Sequence, residues 1–277
     1  MFLVLTGVLT RIVSNSYLNV FQKLLTSKGI KSSVVNFYTY FGLTIAGCLL
    51  VPIAGEIIFS AELLLNFLFM GILGALGNYF IIKALSCGEL SSLAPINSYK
   101  PIVAMIIAFL YLGEIPEYTA GIGIFLIILG TYFIFDKING ANKSAVFFRV
   151  LALIFSGTEA VFIKKVIILT NVPMSFFLWA FSGLIFSLFF VIGGRNKFSF
   201  PPVKEQLLLI FSVGMMQFST NYVFANMKVS YALSLFQLST LLSVFLGVNI
   251  FHENGLTRKI LASIVMITGA VIIIWGQ

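Results

Sequence analysis

The stretch LYLGEIPEYTAGIGIFLIILGTYFI, residues 110–134, passes through a Gly-Glu pair and a short polar turn into a long apolar run. A counterpart, LGVNIFHENGLTRKILASIVMITGAVIII, occupies residues 246–274. Set on one another, Glu114 falls on Glu253 and Gly130 on Gly269, both 139 residues apart in a chain of 277. Near the start of each half, SNSYLNVFQKLL from Ser14 runs against SGTEAVFIKKVI from Ser156, setting Lys23 on Lys165. A shared amphipathic period can produce one such match, whereas two landmarks at one offset point to duplication. The chain therefore reads as two units, 1–138 and 139–277.

Lipid is the solvent for both units. The chain is 60% hydrophobic and only 9% charged, with 30 Phe and a mean hydropathy of +1.07, where soluble domains carry about 25% charge. So few charges cannot give every helix a polar face. Breaks at charges, Pro and Gly separate apolar runs at 2–25, 33–53, 63–86, 90–112, 117–136, 146–169, 173–192, 206–228, 231–251 and 257–275. These runs are long and continuous where a barrel strand would alternate over about ten residues, so they predict an all-α integral membrane protein of ten transmembrane helices. The N-terminal MFLVLTGVLT has no basic residue before it and Arg11 interrupts it. It reads as a first span, not a signal peptide.

Five spans per unit is an odd number. A tandem copy of an odd-span unit inserts upside down, giving inverted five-helix repeats about an axis in the membrane plane, an arrangement suited to alternating access. Loops after odd-numbered spans carry Lys23, Lys28, Lys31, Lys137, Lys143, Arg149, Arg195, Lys197, Lys204, Arg258 and Lys259, with Lys83 close by. The other side has Lys164, Lys165 and Lys228. By the positive-inside rule the first side is cytoplasmic and both termini lie outside, in a multi-pass protein of the plasma (inner) membrane.

Composition excludes several chemistries. The one His, His252, and the one Asp, Asp136, stand apart from other ligand-type residues, so no metal site of His and carboxylates is expected. Cys48 and Cys87 have no metal or redox spacing and read as small buried hydrophobes. There is no GxxxxGK[ST] phosphate loop, hence no ATP hydrolysis by that route. The formal charge of +8 comes from residues flanking spans, without a basic stripe interleaved with aromatics, so nucleic acid is not an expected partner. No cofactor and no catalytic residue is indicated.

The segment ALSCGELSSLAPINSYKPIVAMIIAFLYLGE, Ala84 to Glu114, resembles the fourth-helix signature of EamA-like members of the drug/metabolite transporter superfamily. An Ala-Leu pair (Ala84, Leu85) ends helix three, small residues (Ser91, Ser92) start helix four, Pro101 lies within it, and Gly113-Glu114 closes it. The second half keeps Glu253 but has His252 before it and Thr240 in place of the Pro. The resemblance implies a ten-helix secondary transporter of small metabolites, in a family whose members export amino acids and other metabolites or take up sugars.

Ionisable groups inside a span are costly and mark function. Three stand out: Arg11, about nine residues or roughly 14 Å into the first span, Lys100 in the fourth and Glu159 in the sixth. Arg11, Asn15, Asn19 and Gln22 recur at helical spacing and share one face. Asn97 and Lys100 align on the fourth span, where Pro101 frees a backbone carbonyl. Lys100, with Arg11, is expected to bind the anionic group of a substrate, or else Lys100 pairs with Glu159 as a buried salt bridge. Glu159 is the proton-coupling candidate. Further substrate-binding candidates are Asn78 and Tyr79, Gln217 and Asn221, the aromatic pair Tyr40 and Trp179, and Gln237 and Ser239. Helices one to four and six to nine should line the cavity, with five and ten outside as scaffold.

The leading reading is a secondary transporter that moves a small polar or amphipathic metabolite (an amino acid, a sugar or a related compound) by alternating access, as a monomer or homodimer in the lipid bilayer. The alternative is a flippase for a lipid or lipid-linked carrier, which needs a lateral opening between helices. A membrane-embedded enzyme would need an acid, base or metal cluster that a chain with one His and one Asp does not supply.

Overall fold

Gly and Pro set the ends of the helices much as the hydropathy breaks predict. The computed structural model describes residues 2–55, 58–88, 90–115, 117–134, 142–193, 200–251 and 259–275, and helix is the regular structure throughout them. The helices are α1 (Phe2–Ser27), α2 (Ser32–Cys48), α3 (Ala61–Cys87), α4 (Leu90–Leu93), α5 (Lys100–Leu112), α6 (Tyr118–Ile134), α7 (Lys143–Leu169), α8 (Val172–Gly193), α9 (Val203–Asn226), α10 (Val229–Phe236), α11 (Ser239–Phe251) and α12 (Lys259–Trp275). Single 3-10 turns cover Val51–Ile53 and Ala94–Tyr99. By length and composition α3, α7, α8 and α9 are each able to cross a membrane. Ser60 caps α3 by accepting from the Leu63 N–H at 3.1 Å, and Asn142 caps α7 through the Ser144 N–H at 3.0 Å. α5 ends at Gly113, whose φ of 68° is left-handed and suits a residue without Cβ.

Two expected spans are not continuous helices. The run 90–112 breaks into α4, the 3-10 turn and α5, with a Pro in the first turn of each of the last two pieces, Pro95 and Pro101. Lys100 therefore stands at the start of α5, not in mid-helix. The run 231–251 breaks between α10 and α11 without a Pro. There Ser234 Oγ donates to the Ser230 carbonyl at 2.7 Å and Gln237 Nε2 to the Leu233 carbonyl at 2.8 Å. The Gln237 side chain thus takes the Leu233 carbonyl that its own N–H would use if α10 continued. α5 opens at Lys100 and α11 at Ser239, 139 residues apart, the same offset as the landmark pairs.

In the bundle, α3 packs along α7 and α1 along α9, α2 lies against α8, α5 touches α7, and α11 touches α1. α6 and α12 pack on each other away from the centre. Gly123 and Gly269 make that contact close, since a Cβ on either would lie 2.6 Å from the other's carbonyl oxygen. Gly121, two residues earlier, faces open space. Gly123→Ala is therefore expected to cost about 1–3 kcal/mol by overpacking, and Gly121→Ala nothing of that kind. Thermal unfolding in detergent compares the two. Equal midpoints would show that α6 and α12 stand further apart than this.

The cysteines differ from expectation. Cys48 and Cys87 are both exposed, because each ends its helix and turns away from the core. His252, Glu253 and Asp136 lie outside the described residues.

Candidate functional site

Charged side chains that have no place against lipid converge on one cavity of about 90 Å³ at the centre of the bundle. α1 brings Arg11, Asn15 and Asn19, spaced by four so that they share a face. Tyr40 comes from α2, Gly74 and Asn78 from α3, Asn97 from the 3-10 turn and Lys100 from α5. α7 contributes Arg149, Ser156 and Glu159, α8 Trp179, and α9 Gln217. Among the described residues, α6 and α12 contribute none of the lining.

The cations have few partners. Arg11 is 7% exposed and Arg149 5%. The Arg11 guanidinium lies 4.8 Å from the Phe236 ring centroid, while its Nε and Nη1 bond to nothing in the protein. Arg149 Nε donates to the Leu93 carbonyl at 3.2 Å, an acceptor at the break in the fourth run. Its Nη1 has no partner, nor has the Ser156 hydroxyl. A buried donor left unpaired costs about 1–3 kcal/mol, more when charged, so such groups imply an acceptor that the protein itself does not supply.

Glu159, 8% exposed, is the carboxylate among the lining residues. Trp179 Nε1 donates to its Oε1 at 2.6 Å, and the Trp179 ring sits 5.1 Å from that of Tyr40. Gly74 makes room for it, since a Cβ there would collide with the Glu159 carboxylate. Lys100 lines the same cavity as Glu159, Arg11 and Arg149. Yet Lys100–Glu159 is not among the ion pairs of the described residues, which join Lys28 to Glu205, Lys164 to Glu114, Lys165 to Glu62 and Lys228 to Glu117.

Ser239, Gln237 and Asn221 stand behind the lining and bond to residues in it. Asn15 Nδ2 donates to Ser239 Oγ at 2.9 Å, Asn97 Nδ2 to Gln237 Oε1 at 3.4 Å, and the Gln217 and Asn221 amides meet at 2.8 Å. Asn78 links Gln22 to Asn36, its Oδ1 accepting from Gln22 Nε2 at 3.1 Å. Tyr79 is not brought to the cavity. It stacks on Phe190 at 5.1 Å, and the Lys83 ammonium lies over its ring at 5.6 Å from the centroid.

Arg149 is the residue that sequence reasoning misplaces. Its position in the second turn of α7 puts it among the topology-setting cations, but packing turns it inward. The helical spacing Arg149, Ser156, Glu159 is the signal that points to the cavity. Elsewhere, a polar lattice fastens the end of the bundle where α5, α7 and α9 finish. Lys164 Nζ donates to the Met227 carbonyl at 2.8 Å, and Glu114 Oε2 accepts from the Val229 N–H at 2.9 Å, at the start of α10.

Residues 2–136 match the model of the EamA-like transporter family. One solved crystal structure, described only as that of a protein, superposes with a TM-score of 0.73 over 96% of this chain and 94% of its own, at 13% identity. That likeness concerns the fold. No curated protein matches the sequence.

Proposed function

We propose that this chain, whose residues 2–136 match the EamA-like transporter family, is a secondary transporter moving a small polar metabolite with an anionic group by alternating access. The observation that carries this reading is the buried cavity in which Arg11 and Arg149 hold unpartnered N–H groups beside Lys100 and Glu159. Arg11 and Lys100 bind the anionic group, and the amides of Asn15, Asn19, Asn78, Asn97 and Gln217 satisfy its polar body. Tyr40 and Trp179 form the apolar wall. Glu159 is the coupling carboxylate.

The units 1–138 and 139–277 act as inverted halves of ten spans, α4–α5 and α10–α11 each being one broken span. Exchange of halves maps α1 on α9 onto α7 on α3, and α5 on α7 onto α11 on α1, while α2–α8 and α6–α12 map onto themselves, which supports the repeat. Broken spans whose freed polar groups line a cavity at mid-membrane fit transporter architecture. The Glu114–Lys164 and Glu117–Lys228 pairs close one end of the cavity and open when the halves exchange. Without Arg149 the basic residues still favour the odd-loop side, placing both termini outside the plasma membrane.

Reconstitution into liposomes with a panel of acidic, zwitterionic and neutral metabolites tests the proposal. Saturable flux of at least one acid is expected, and no substrate-dependent flux across the panel would contradict it.

A further inference from the structure

The cavity is built for more negative charge than one carboxylate carries. Three cations, Arg11, Lys100 and Arg149, face one carboxylate, Glu159, whose Oε1 already accepts from Trp179. Two of the cations are guanidinium groups with buried, unpartnered nitrogens, and a guanidinium fork suits a planar carboxylate or a phosphate better than any neutral acceptor. Arg149 and Ser156 are two helical turns apart on one face of α7, so the free Arg149 Nη1 and the free Ser156 hydroxyl line the same wall. Arg11 on α1 and Lys100 on α5 line the same cavity. The cavity, about 90 Å³, has room beside these groups for a short anion.

We propose that Arg149, with Ser156, is a second anion site that makes the cavity selective for small divalent oxyanions. One charged end of the substrate meets Arg11 and Lys100, and the other meets Arg149. The shared chemistry is two negative charges carried on oxygens a few bonds apart, found in short dicarboxylates and in inorganic phosphate. This inference rests on the transport reading above and narrows its substrate class.

The alternative role for Arg149 is that of a strut holding the Leu93 carbonyl at the helix break. Arg149→Gln separates the two roles, because the amide keeps an N–H donor for that carbonyl and loses the charge. Affinities of the purified full chain for succinate, malonate and phosphate, against acetate and lactate, are measured in detergent by calorimetry. For the unmodified chain at least one divalent anion is expected to bind about 10-fold or more tighter than the monovalent acids. In Arg149→Gln that preference collapses through loss of divalent affinity, with monovalent binding within about threefold. If Arg149→Gln fails to fold, Arg149→Lys serves instead and is expected to retain the preference at several-fold lower affinity.

No divalent preference in the unmodified chain, equal losses for both charge classes in Arg149→Gln, or loss of the preference in Arg149→Lys would overturn the inference. Succinate or malonate binding without phosphate binding assigns the dicarboxylate source, and the reverse assigns phosphate. Selective divalent binding without flux in liposomes overturns the transport reading and leaves the site standing. Flux of monovalent or neutral solutes with no divalent preference does the opposite.

Discussion

Glu159→Gln is expected to abolish uphill accumulation of substrate in proteoliposomes while leaving exchange down a gradient measurable. Gln has nearly the shape of Glu and keeps a carbonyl oxygen to accept from Trp179 Nε1, so the Tyr40–Trp179 wall and the Gly74 contact are retained. What is lost is the carboxyl proposed to alternate between a charged and a neutral form. Ionisable groups at this depth are maintained at a cost that function must justify. With an imposed proton gradient the unmodified protein should concentrate its substrate, whereas Glu159→Gln should equilibrate it to a ratio of about one. Undiminished accumulation by Glu159→Gln would remove Glu159 from the coupling step.

Arg11→Met is expected to move stability and transport in opposite directions. In the absence of substrate the Arg11 Nε and Nη1 are buried without partners, a state costing about 1–3 kcal/mol or more for a charged group. Met keeps the apolar stem of the side chain to about the position of Nε, loses the guanidinium over Phe236 and removes the cost. The thermal midpoint should therefore rise by several degrees, while flux at low substrate concentration falls on the order of 10- to 100-fold through the lost charge-assisted bonds. A purely structural arginine would give the reverse pattern, with stability falling first.

Glu159 and Arg11 are legible in the sequence because each interrupts an apolar run that little else interrupts. The amides of α1 are legible for a related reason: Asn15 and Asn19 repeat at the helical period, and that face must meet protein or water. Helix ends follow from Gly113, Ser60 and Asn142. The breaks at Ala94–Tyr99 and after Phe236 are not legible, since hydropathy runs through them and depends on composition, not on which carbonyls find donors. Arg149 escapes a sequence reading because a cation one or two turns from a helix start satisfies the positive-inside rule whichever way it faces. Tyr79 shows the opposite error, since a Tyr following an Asn can stack on a neighbouring helix as readily as face a cavity, and here it meets Phe190.

Polar ties fasten the bundle at both ends. Glu114 ties the start of α10 to α7 through Val229 and Lys164, and Glu117 faces Lys228 at 3.5 Å. The Glu117 N–H also donates to Tyr231 Oη at 2.7 Å. At the other end Lys28 pairs with Glu205 at 2.5 Å across α1 and α9. Under the proposed alternating access, an exchange of the two halves would break one of these sets while the other holds, which pairs of modest strength allow.

The most direct test of the central claim, a substrate cavity reached in turn from each side of the membrane, is accessibility at Ser156. Its hydroxyl bonds to nothing in the protein, so Ser156→Cys in a Cys48→Ser, Cys87→Ser background is nearly silent structurally, and both native thiols are removed as competing targets. Charged, membrane-impermeant thiol reagents are applied to sealed vesicles of each orientation, with and without a transported acid. Labelling from both sides, slowed by the acid on both, is the predicted result. Labelling from one side alone, unaffected by the acid, would contradict it.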